Sequence, residues 1–317
     1  MTYVDLASRA LGGAVVAAND ESFCAAGHLI DPRPPVFSPK TFDHNGQIYD
    51  GWETRRRREP GHDWVVVRLG APGIVREVVV DTAFFKGNYP PHCSLEAARV
   101  QGYPSVEELS EVEWMPLVEL SALKGDTANT FAVGDEATYT HVRLAIHPDG
   151  GVARLRVHGE VVPDLELLSL VPNDLAALVN GGRTTECSDS FFSDPNNMLM
   201  PGLARTTGEG WEVRRRRDGG HDWAVIQLAV PGRLFLAEID TMHFRFNAPG
   251  WAGLVGYTPD GQEATILPKT RLQPDTLHRF RLSPGLPVTE RVRLDIYPDG
   301  GVARLRLFGT CSSVYCL

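Results

Sequence analysis

The chain has 317 residues, of which 43% are hydrophobic and 22% charged, a composition typical of a globular protein with room for two hydrophobic cores. Its formal net charge of −9 argues against nucleic acid as a partner, because phosphate binding needs a net basic surface. No apolar run approaches the roughly 18–20 residues that span a bilayer, so we expect no membrane partner.

The N-terminal segment and the cysteines both bear on the cellular compartment. Residues 1–18 contain Asp5 and Arg9 and have no long apolar core, so we expect no secretory signal. The number of cysteines is odd, which argues against a disulfide framework and favours reduced thiols in a cytoplasmic protein. They are Cys24, Cys93, Cys187, Cys311 and Cys316.

The next segment, residues 51–64, reveals a duplication. It returns as residues 210–223, with eleven of fourteen positions identical at an offset of 159. Each copy contains a Gly-Trp-Glu triplet, four consecutive arginines and a Gly-His-Asp-Trp motif. A period of about 155 residues is the size of one domain. The sequence therefore predicts repeat 1 at residues 1–162, a linker at 163–172 and repeat 2 at 173–317.

Strand patterns dominate both repeats. Two apolar runs, residues 64–69 and 78–80, are bounded by Gly and Pro and predict two interior strands. Their counterparts in repeat 2 are residues 223–228 and 234–239. Apolar and polar residues alternate on both sides of residues 148–151, which predicts a β-hairpin with one buried face.

Few segments favour helices. Residues 105–113 can form a short one after Pro104. Residues 174–180 begin with Asp174, a capping residue, and are followed by a glycine pair that would end a helix. Short strands separated by turns over about 150 residues predict an all-β fold, with a jelly-roll β-sandwich in each repeat.

The two arginine tetrads, residues 55–58 and 214–217, are the first candidates for chemistry. A charged run is usually a solvated strand face, but Trp, Glu, His and Asp surround both tetrads. In an extended segment Glu53, Arg55 and Arg57 share one face, so we expect at least one arginine to lie inward beside Glu53. A guanidinium fixed by a carboxylate suits a planar carboxylate or ureido group. Inter-strand ion pairs remain the alternative.

His62 and Asp63, matched by His221 and Asp222, place an imidazole and a carboxylate before a strand-forming Trp. Adjacent strand residues point to opposite faces, so neither pair is itself a catalytic dyad. His62 can act as a general acid or base, or equally stabilise a turn. No zinc spacing, phosphate loop, nucleophile elbow or dinucleotide fingerprint is present, so no cofactor or metal is evident. A requirement for a divalent metal stays open.

A polar loop, residues 81–88, follows the second apolar run. Polar residues just beyond a strand end are how sandwiches display binding sites. The counterpart, residues 240–247, keeps an Asp, a Thr, a Phe, a cation and an Asn but has Phe246 where repeat 1 has Gly87. The two loops therefore cannot have the same shape. The Asp-Gly-Gly sequence at 149–151 is explained adequately by a tight turn.

Three of these segments together, residues 50–56, 61–64 and 81–88, closely resemble the allantoicase (allantoate amidinohydrolase) family, in order and over nearly the whole chain. Residues 292–309 also resemble the last hairpin of discoidin-like, galactose-binding-like sandwiches, to which allantoicase domains are related. The resemblance implies two jelly rolls and hydrolysis of allantoate to ureidoglycolate and urea in purine breakdown. Some family members are similar in acting on ureidoglycolate.

For such a substrate the residues suggest roles that we treat as hypotheses. Candidate acid/base groups are His62, Asp63 and Glu53. Arg55 or Arg56 would bind the substrate carboxylate. Asp81, Lys86 and Asn88 would contact ureido or carboxylate groups. The equivalents in repeat 2 are Glu212, Arg214, Arg215, His221, Asp222, Asp240, Arg245 and Asn247.

Two other functions stay open. A discoidin-like binding module without catalysis usually shows an exposed aromatic platform, whereas this chain repeats a dense set of Glu, Arg, His and Asp, which favours catalysis. A ureidoglycolate-specific enzyme that releases urea is the second alternative. We expect a homo-oligomer that acts on a small molecule. Because Gly87 is replaced by Phe246, we expect repeat 1 to hold the main site.

Overall fold

The structure, a computed structural model, describes residues 3–44 and 46–312. It divides into two compact units, one of which ends at Val162 while the other begins at Pro163. Strands form most of the regular structure, and they pair in the same order in the two units. The predicted all-β fold, with one jelly-roll sandwich in each repeat, is confirmed.

The strands of repeat 1 are β1 (Val4–Asp5), β2 (Ala14–Ala18), β3 (Phe42–Asp43), β4 (Gly46–Gln47), β5 (Trp52–Glu53), β6 (Asp63–Asp81), β7 (His92–Ala98), β8 (Met115–Ala122), β9 (Ala128–Ala132), β10 (Thr138–His147), β11 (Gly151–Val152) and β12 (Arg154–Val161). Those of repeat 2 are β13 (Asn173–Asp174), β14 (Arg183–Cys187), β15 (Trp211–Glu212), β16 (Asp222–Asp240), β17 (Trp251–Tyr257), β18 (Glu263–Arg271), β19 (Leu277–Arg281), β20 (Thr289–Tyr297), β21 (Gly301–Val302) and β22 (Arg304–Cys311). Short 3-10 helices are Ala26–Ile30, Leu178–Asn180, Pro195–Leu199 and Thr207–Glu209.

The long strand β6 organises repeat 1. Its first half pairs with β2 and β10, and its second half pairs with β12 and β9. On the side of the first half, β10 also pairs with β7, and β7 pairs with β8. On the side of the second half, β12 also pairs with β1. The strand thus passes from one layer of the sandwich to the other, and β16 does the same in repeat 2.

The prediction of two separate strands at 64–69 and 78–80 is therefore wrong. The segment between them contains Pro72 and Gly73, but it changes the partners of β6 and does not end the strand. The carbonyl of Pro72 accepts the N–H of Val162 at 2.9 Å, so the backbone stays paired there. A Cβ on Gly73 would lie 2.7 Å from Leu6, so glycine permits the close packing at the crossing.

The predicted hairpin around residues 148–151 is also wrong. Strands β10 and β12 do not pair with each other, because they pair with opposite halves of β6. The alternating pattern was correct for each strand, since each has a buried face. The turn between them instead connects the two layers, and its short strand β11 pairs with β5.

The two predicted helices have different outcomes. Helix α1 (Val106–Ser110) lies where one was predicted, and Ser105 and Glu108 form its capping box. The helix predicted over 174–180 is wrong, because Asp174 belongs to β13 and its carboxylate accepts the N–H of Leu307 at 2.9 Å. Within 174–180 the helical part is the 3-10 helix Leu178–Asn180. The predicted linker contains helix α2 (Leu165–Leu170).

The described cysteines differ in state. Cys24, Cys93 and Cys187 are free thiols, but Cys311 is disulfide-bonded, so the expectation of reduced thiols is wrong for Cys311. Cys316 lies outside the described residues. Over residues 3–44 and 46–312, no helix is long and apolar enough to cross a membrane.

Candidate active site

Three segments of repeat 1 meet at one end of its sandwich: residues 51–57, 81–88 and the turn 148–151. Gly151 pairs with the first segment through β5 and donates its N–H to the carbonyl of Asn88 in the second at 2.7 Å. A Cβ on Gly151 would lie 2.1 Å from a ring of the second segment, so only glycine allows this approach. The Asp-Gly-Gly turn is therefore the link that fixes the other two segments.

The centre of this site is a carboxylate–amide pair. Asn88 Nδ2 donates a hydrogen bond to Glu53 Oε1 at 2.8 Å. Glu53 is half-buried, and burial raises the pKa of its carboxyl, while the hydrogen bond from Asn88 opposes the rise only in part. A carboxyl that holds its proton to higher pH suits general acid/base catalysis. In repeat 2, Asn247 Nδ2 donates to Glu212 Oε1 at 2.5 Å.

The inward arginine is Arg57, and its partner is Asp63. Arg57 Nη1 lies 2.7 Å from Asp63 Oδ1, which also accepts a hydrogen bond from Asn19 at 2.9 Å. An inward arginine was expected and Arg57 is one, but its ion-pair partner is Asp63 of β6 and not Glu53. Strand β5 ends at Glu53, so the alternation of a strand does not extend to Arg57. A Cβ on Gly61 would lie 2.7 Å from the guanidinium, which explains the glycine of the Gly-His-Asp-Trp motif.

Carboxylates hold the backbone of the tetrad after β5 ends. In repeat 1, Asp149 Oδ2 accepts the N–H of Arg57 at 2.7 Å, and Asp20 Oδ1 accepts the N–H of Arg55 at 3.0 Å. The corresponding bonds of repeat 2 are Asp299 to Arg216 at 2.6 Å and Asp189 to Arg214 at 2.7 Å. The counterpart of the Arg57–Asp63 ion pair in repeat 2 joins Arg216 Nη2 to Asp222 Oδ1 at 3.0 Å.

The two arginines predicted to bind a carboxylate are not equally available. Arg55 is exposed, and its Nε pairs with Asp20 at 3.1 Å. Arg56 is also exposed, but within the described part of the chain its side chain has no hydrogen-bond or ion-pair partner. Arg215 is exposed in the same way in repeat 2. Arg56 is therefore the better placed to meet a substrate carboxylate.

His62 and Asp63 point in opposite directions, as predicted for adjacent residues. His62 is exposed, whereas Asp63 is buried. The His62 ring lies 4.8 Å from the ring of His147, centroid to centroid. Burial lowers the pKa of His147, and the nearby His62 and His92 lower it further. A group of imidazoles, not a single one, thus stands beside the Arg57–Asp63 pair.

Two predicted substrate contacts have other partners. Asp81 Oδ1 accepts the N–H of Ala83 at 2.8 Å and closes the turn after β6. Lys86 is exposed and lies 3.5 Å from Asp126. The repeat 2 equivalents behave alike: Asp240 accepts the N–H of Met242 at 2.8 Å, and Arg245 pairs with Asp275 at 3.2 Å. In the described residues no bond joins any of the four to the carboxylate–amide pairs.

Comparison with known proteins identifies the family. A family model described as the allantoicase repeat matches residues 4–162 and 173–312. The chain belongs to the allantoicase family. It is similar to a probable allantoicase of Nocardia farcinica, at 54% identity over 96% of this chain and 93% of the relative. For a probable allantoicase of Streptomyces coelicolor, the identity is 48% over 97% of this chain and 85% of the relative.

A solved structure agrees with this assignment. The crystal structure of allantoicase from Saccharomyces cerevisiae has a TM-score of 0.82 to this chain at 35% sequence identity. The match covers 96% of this chain and 92% of the yeast chain. Both repeats therefore have the allantoicase fold, and the Glu53–Asn88 and Glu212–Asn247 pairs lie within it.

An aromatic wall is present in repeat 1 of this allantoicase-family chain, whereas the matching connection of repeat 2, residues 201–208, contains no aromatic residue. The Phe37 ring lies 5.2 Å from Tyr49 and 5.6 Å from Phe84, and Tyr49 lies 4.8 Å from Phe85. Phe37 and Tyr49 belong to the connection from Asp31 to Asp50, which is ten residues longer than the connection from Met200 to Glu209 (19 against 9).

A buried ion pair holds this longer connection in place. Arg154 is 1% exposed, and its Nη2 lies 2.7 Å from Asp50 Oδ2, which also accepts the N–H of Val36. Burial acts to raise the pKa of Asp50, but hydrogen bonds from Arg154 and His28 outweigh it and bring the pKa to about 2. Asp50 is thus ionised at any working pH.

Several site residues were missed from the sequence: Asn19, Asp20, Arg57, Asp149 and His147. Asp20, Arg57 and Asp149 could have been found, because each has an identical residue at the matching position of repeat 2. His147 could not, because Tyr297 replaces it there. In the part of the chain that the structure describes, no group of three His, Cys, Asp or Glu side chains could hold a metal ion.

Proposed function

We propose that this protein hydrolyses allantoate to ureidoglycolate and urea, in the degradation of allantoin, and that repeat 1 carries the reaction. The proposal rests on one observation: a chain that belongs to the allantoicase family along its length holds a half-buried carboxyl, Glu53, against an amide, Asn88, and has an exposed arginine, Arg56, three residues after that carboxyl. Allantoate carries one carboxylate and two ureido arms on one carbon. The three groups suit those three parts of the substrate.

Glu53 is the acid/base group in this proposal. Burial raises the pKa of this carboxyl, and in the proposed mechanism its protonated form transfers a proton to the nitrogen of the departing ureido arm. That arm leaves as urea while the lone pair of the other ureido nitrogen forms a C=N bond. Water then adds to the carbon, and the proton it loses returns to the Glu53 carboxylate. Atoms balance, with allantoate and one water giving ureidoglycolate and urea.

The other groups bind and orient the substrate. Arg56 takes the substrate carboxylate, since its backbone lies between two residues whose N–H groups are held by Asp20 and Asp149. Asn88 meets the retained ureido arm. The wall of Phe37, Tyr49 and Phe84 limits access of water, which strengthens each electrostatic contact. In this proposal His62, whose exposed ring lies beside that of His147, exchanges protons with solvent.

We further propose a cytoplasmic homo-oligomer with no nucleic-acid or membrane partner. The net charge of −9 supports the lack of a nucleic-acid partner, because phosphate binding needs a net basic surface. The route above needs acid/base groups and charge stabilisation, so we propose that it runs without an added cofactor. Assays after chelation and after adding Mg²⁺, Mn²⁺ or Zn²⁺ test this, and a rate that depends on the metal would contradict it.

The substrate is tested by supplying allantoate and ureidoglycolate separately to the purified protein. We expect one urea per allantoate, with ureidoglycolate as the co-product. Release of urea from ureidoglycolate alone would favour a ureidoglycolate-specific enzyme. Release of ammonia, or no turnover of either compound, would refute the proposal.

A further inference from the structure

The carboxylate–amide pair of repeat 2 is retained together with its whole support. Three bonds of repeat 1 recur here: the pair of Glu212 with Asn247, the ion pair of Arg216 with Asp222, and the bond in which Asp299 accepts the backbone N–H of Arg216. An exposed arginine, Arg215, follows at the position of Arg56. Repeat 2 therefore keeps the three kinds of group that we assign to binding the ureido arms and carboxylate.

The surroundings of this pair differ from those in repeat 1. Three large apolar side chains are exposed there: Phe191 (64%), Phe192 (61%) and Phe246 (100%). Repeat 1 has Ser22, Phe23 (40% exposed) and Gly87 at these positions, so Phe191 and Phe246 are the two exposed aromatic side chains that repeat 2 adds. Large apolar side chains that gather on a surface mark binding sites in soluble proteins.

The exposed phenylalanines lie in chain segments that are bonded to Glu212 or to its neighbours. Phe246 directly precedes Asn247, whose amide bonds the Glu212 carboxylate. Phe192 directly precedes Ser193, whose Oγ accepts the N–H of Glu212 at 2.8 Å. The Arg214 guanidinium lies 5.1 Å from the centre of the Phe191 ring and orients it. Phe192 and Phe246 thus belong to the two chain segments that bond the backbone and the carboxylate of Glu212, and planar ureido groups can stack on exposed aromatic rings of this kind.

Features that we assign to turnover in repeat 1 are missing or engaged in repeat 2. His221 Nε2 lies 3.2 Å from Asp295 Oδ1, and its ring stacks on Tyr297 at 4.5 Å, so this imidazole is held in place. His243 replaces Phe84, and its Nε2 contacts the carbonyl of Ala204 at 2.9 Å. The shorter connection also lacks a counterpart of Phe37 and Tyr49.

We propose that the Glu212–Asn247 pair of repeat 2, rimmed by Phe192 and Phe246, is a second site that binds a small ureido carboxylate without turning it over. The proposal rests on the function proposed for repeat 1, because it assigns the same ligand chemistry to the same polar groups. Glu212 accepts ureido N–H groups, Asn247 meets the ureido carbonyl, Arg215 takes the carboxylate, and the rings stack on the planar arm. A chain would then hold two ligands and convert one.

The test uses full-length protein in which repeat 1 is disabled by Glu53→Gln, Arg56→Ala and Asn88→Ala together. Calorimetric titration with allantoate should show one binding event per chain and no urea release. Adding Asn247→Ala should abolish that event. Adding Phe246→Gly instead, which installs the residue of repeat 1 at a fully exposed position, should weaken it about threefold to tenfold, the range expected for an aromatic contact.

Circular dichroism and thermal melting check that each variant is folded, and Phe246→Gly keeps the test decisive if Asn247→Ala does not fold. Absence of binding to the folded repeat 1 variant would overturn the second site. Continued urea release by that variant would overturn its lack of turnover. Both results are distinct from failure of the proposed function, which is measured separately as urea release from allantoate by the wild-type protein.

Discussion

The two repeats have the same polar framework and different surroundings. Both bury an aspartate at the start of the long strand, Asp63 and Asp222, and both pair it with the third arginine of a tetrad. Both hold that arginine's backbone with the aspartate of a Pro-Asp-Gly-Gly turn. Around this framework, repeat 1 has a cluster of three histidines (His62, His92 and His147) and an aromatic wall. Repeat 2 instead has a histidine, His221, that pairs with Asp295, and an exposed aromatic rim.

This comparison separates what the fold requires from what the site does. A bond present in both repeats, such as that from the N–H of Arg57 or Arg216 to the aspartate of the turn, is needed wherever the segment after β5 or β15 leaves its strand and its N–H groups need new acceptors. A difference, such as His147 against Tyr297, changes chemistry without changing the fold. Variants made in matched pairs can therefore test each assignment.

The largest expected effect is on Glu53. Glu53→Gln keeps the shape and the contact with Asn88 but removes the proton that the proposed mechanism transfers. We expect kcat to fall by about 10²–10⁴-fold, the usual worth of a general acid/base. Urea release at saturating allantoate measures it.

The matched variant is Glu212→Gln, for which we expect a clearly smaller loss. Equal losses would mean that both repeats turn over substrate. If Glu53→Gln kept the wild-type rate, the acid/base role would pass to His62 or Asp63.

The next effect is on stability and should be similar in the two repeats. Arg57→Ala leaves the buried Asp63 carboxylate without its cation, and breaking such a pair costs about 3 kcal/mol in free energy of unfolding. Arg216→Ala should do the same for Asp222. Guanidinium chloride unfolding, followed by circular dichroism, gives both values.

Arg58→Ala serves as the control, since Arg58 is exposed in the same tetrad and should change stability by less than about 0.5 kcal/mol. A cost for Arg57→Ala as small as for Arg58→Ala would show that the pair does not stabilise the fold.

Arg56→Ala should affect substrate binding more than stability. One charged hydrogen bond contributes about 1.5–3 kcal/mol, so kcat/KM should fall by about tenfold to a hundredfold. Arg55→Ala is the matched control, because that side chain already pairs with Asp20 and should lose less. If Arg55→Ala had the larger effect, the substrate carboxylate would bind Arg55 and not Arg56.

The sequence predicted the fold class, the duplication and most strands, because alternation and turn residues are local signals. It failed at Pro72 and Gly73, where glycine and proline allow a strand to cross between layers instead of ending it. It failed again at the turn after β10, because pairing with opposite halves of β6 depends on residues far along the chain.

The site was predictable only in part, and for the same reason. Glu53 and Asn88 were named separately, but nothing local shows that they bond. Arg57 was placed on the face of Glu53 by strand alternation, but the strand ends at Glu53, and nothing local shows that the partner of Arg57 is Asp63. Asp149 was explained as a turn residue, although its carboxylate holds the N–H of Arg57. Comparing the repeats position by position would have recovered Arg57 and Asp149.

The smallest expected effect concerns pH. Replacing His147 with the residue of repeat 2, His147→Tyr, removes a histidine whose folded-state pKa is lowered by burial and by His62 and His92. In the unfolded chain this histidine titrates near pH 6.5. As pH falls through about 6.5, the unfolded state takes up the proton first, so wild-type stability decreases until the lower folded pKa is reached.

Tyrosine does not titrate in this range, so His147→Tyr should lose less stability between pH 7.5 and 5 than the wild type. Thermal melting at several pH values measures the difference, and Tyr297→His provides the reverse exchange. We expect that reverse variant to become more sensitive to acid, since it sets a second imidazole against His221. Equal pH profiles for the wild type and His147→Tyr would mean that the histidine cluster of repeat 1 does not resist protonation. The contrast between the two repeats would then depend on the aromatic wall and the aromatic rim alone.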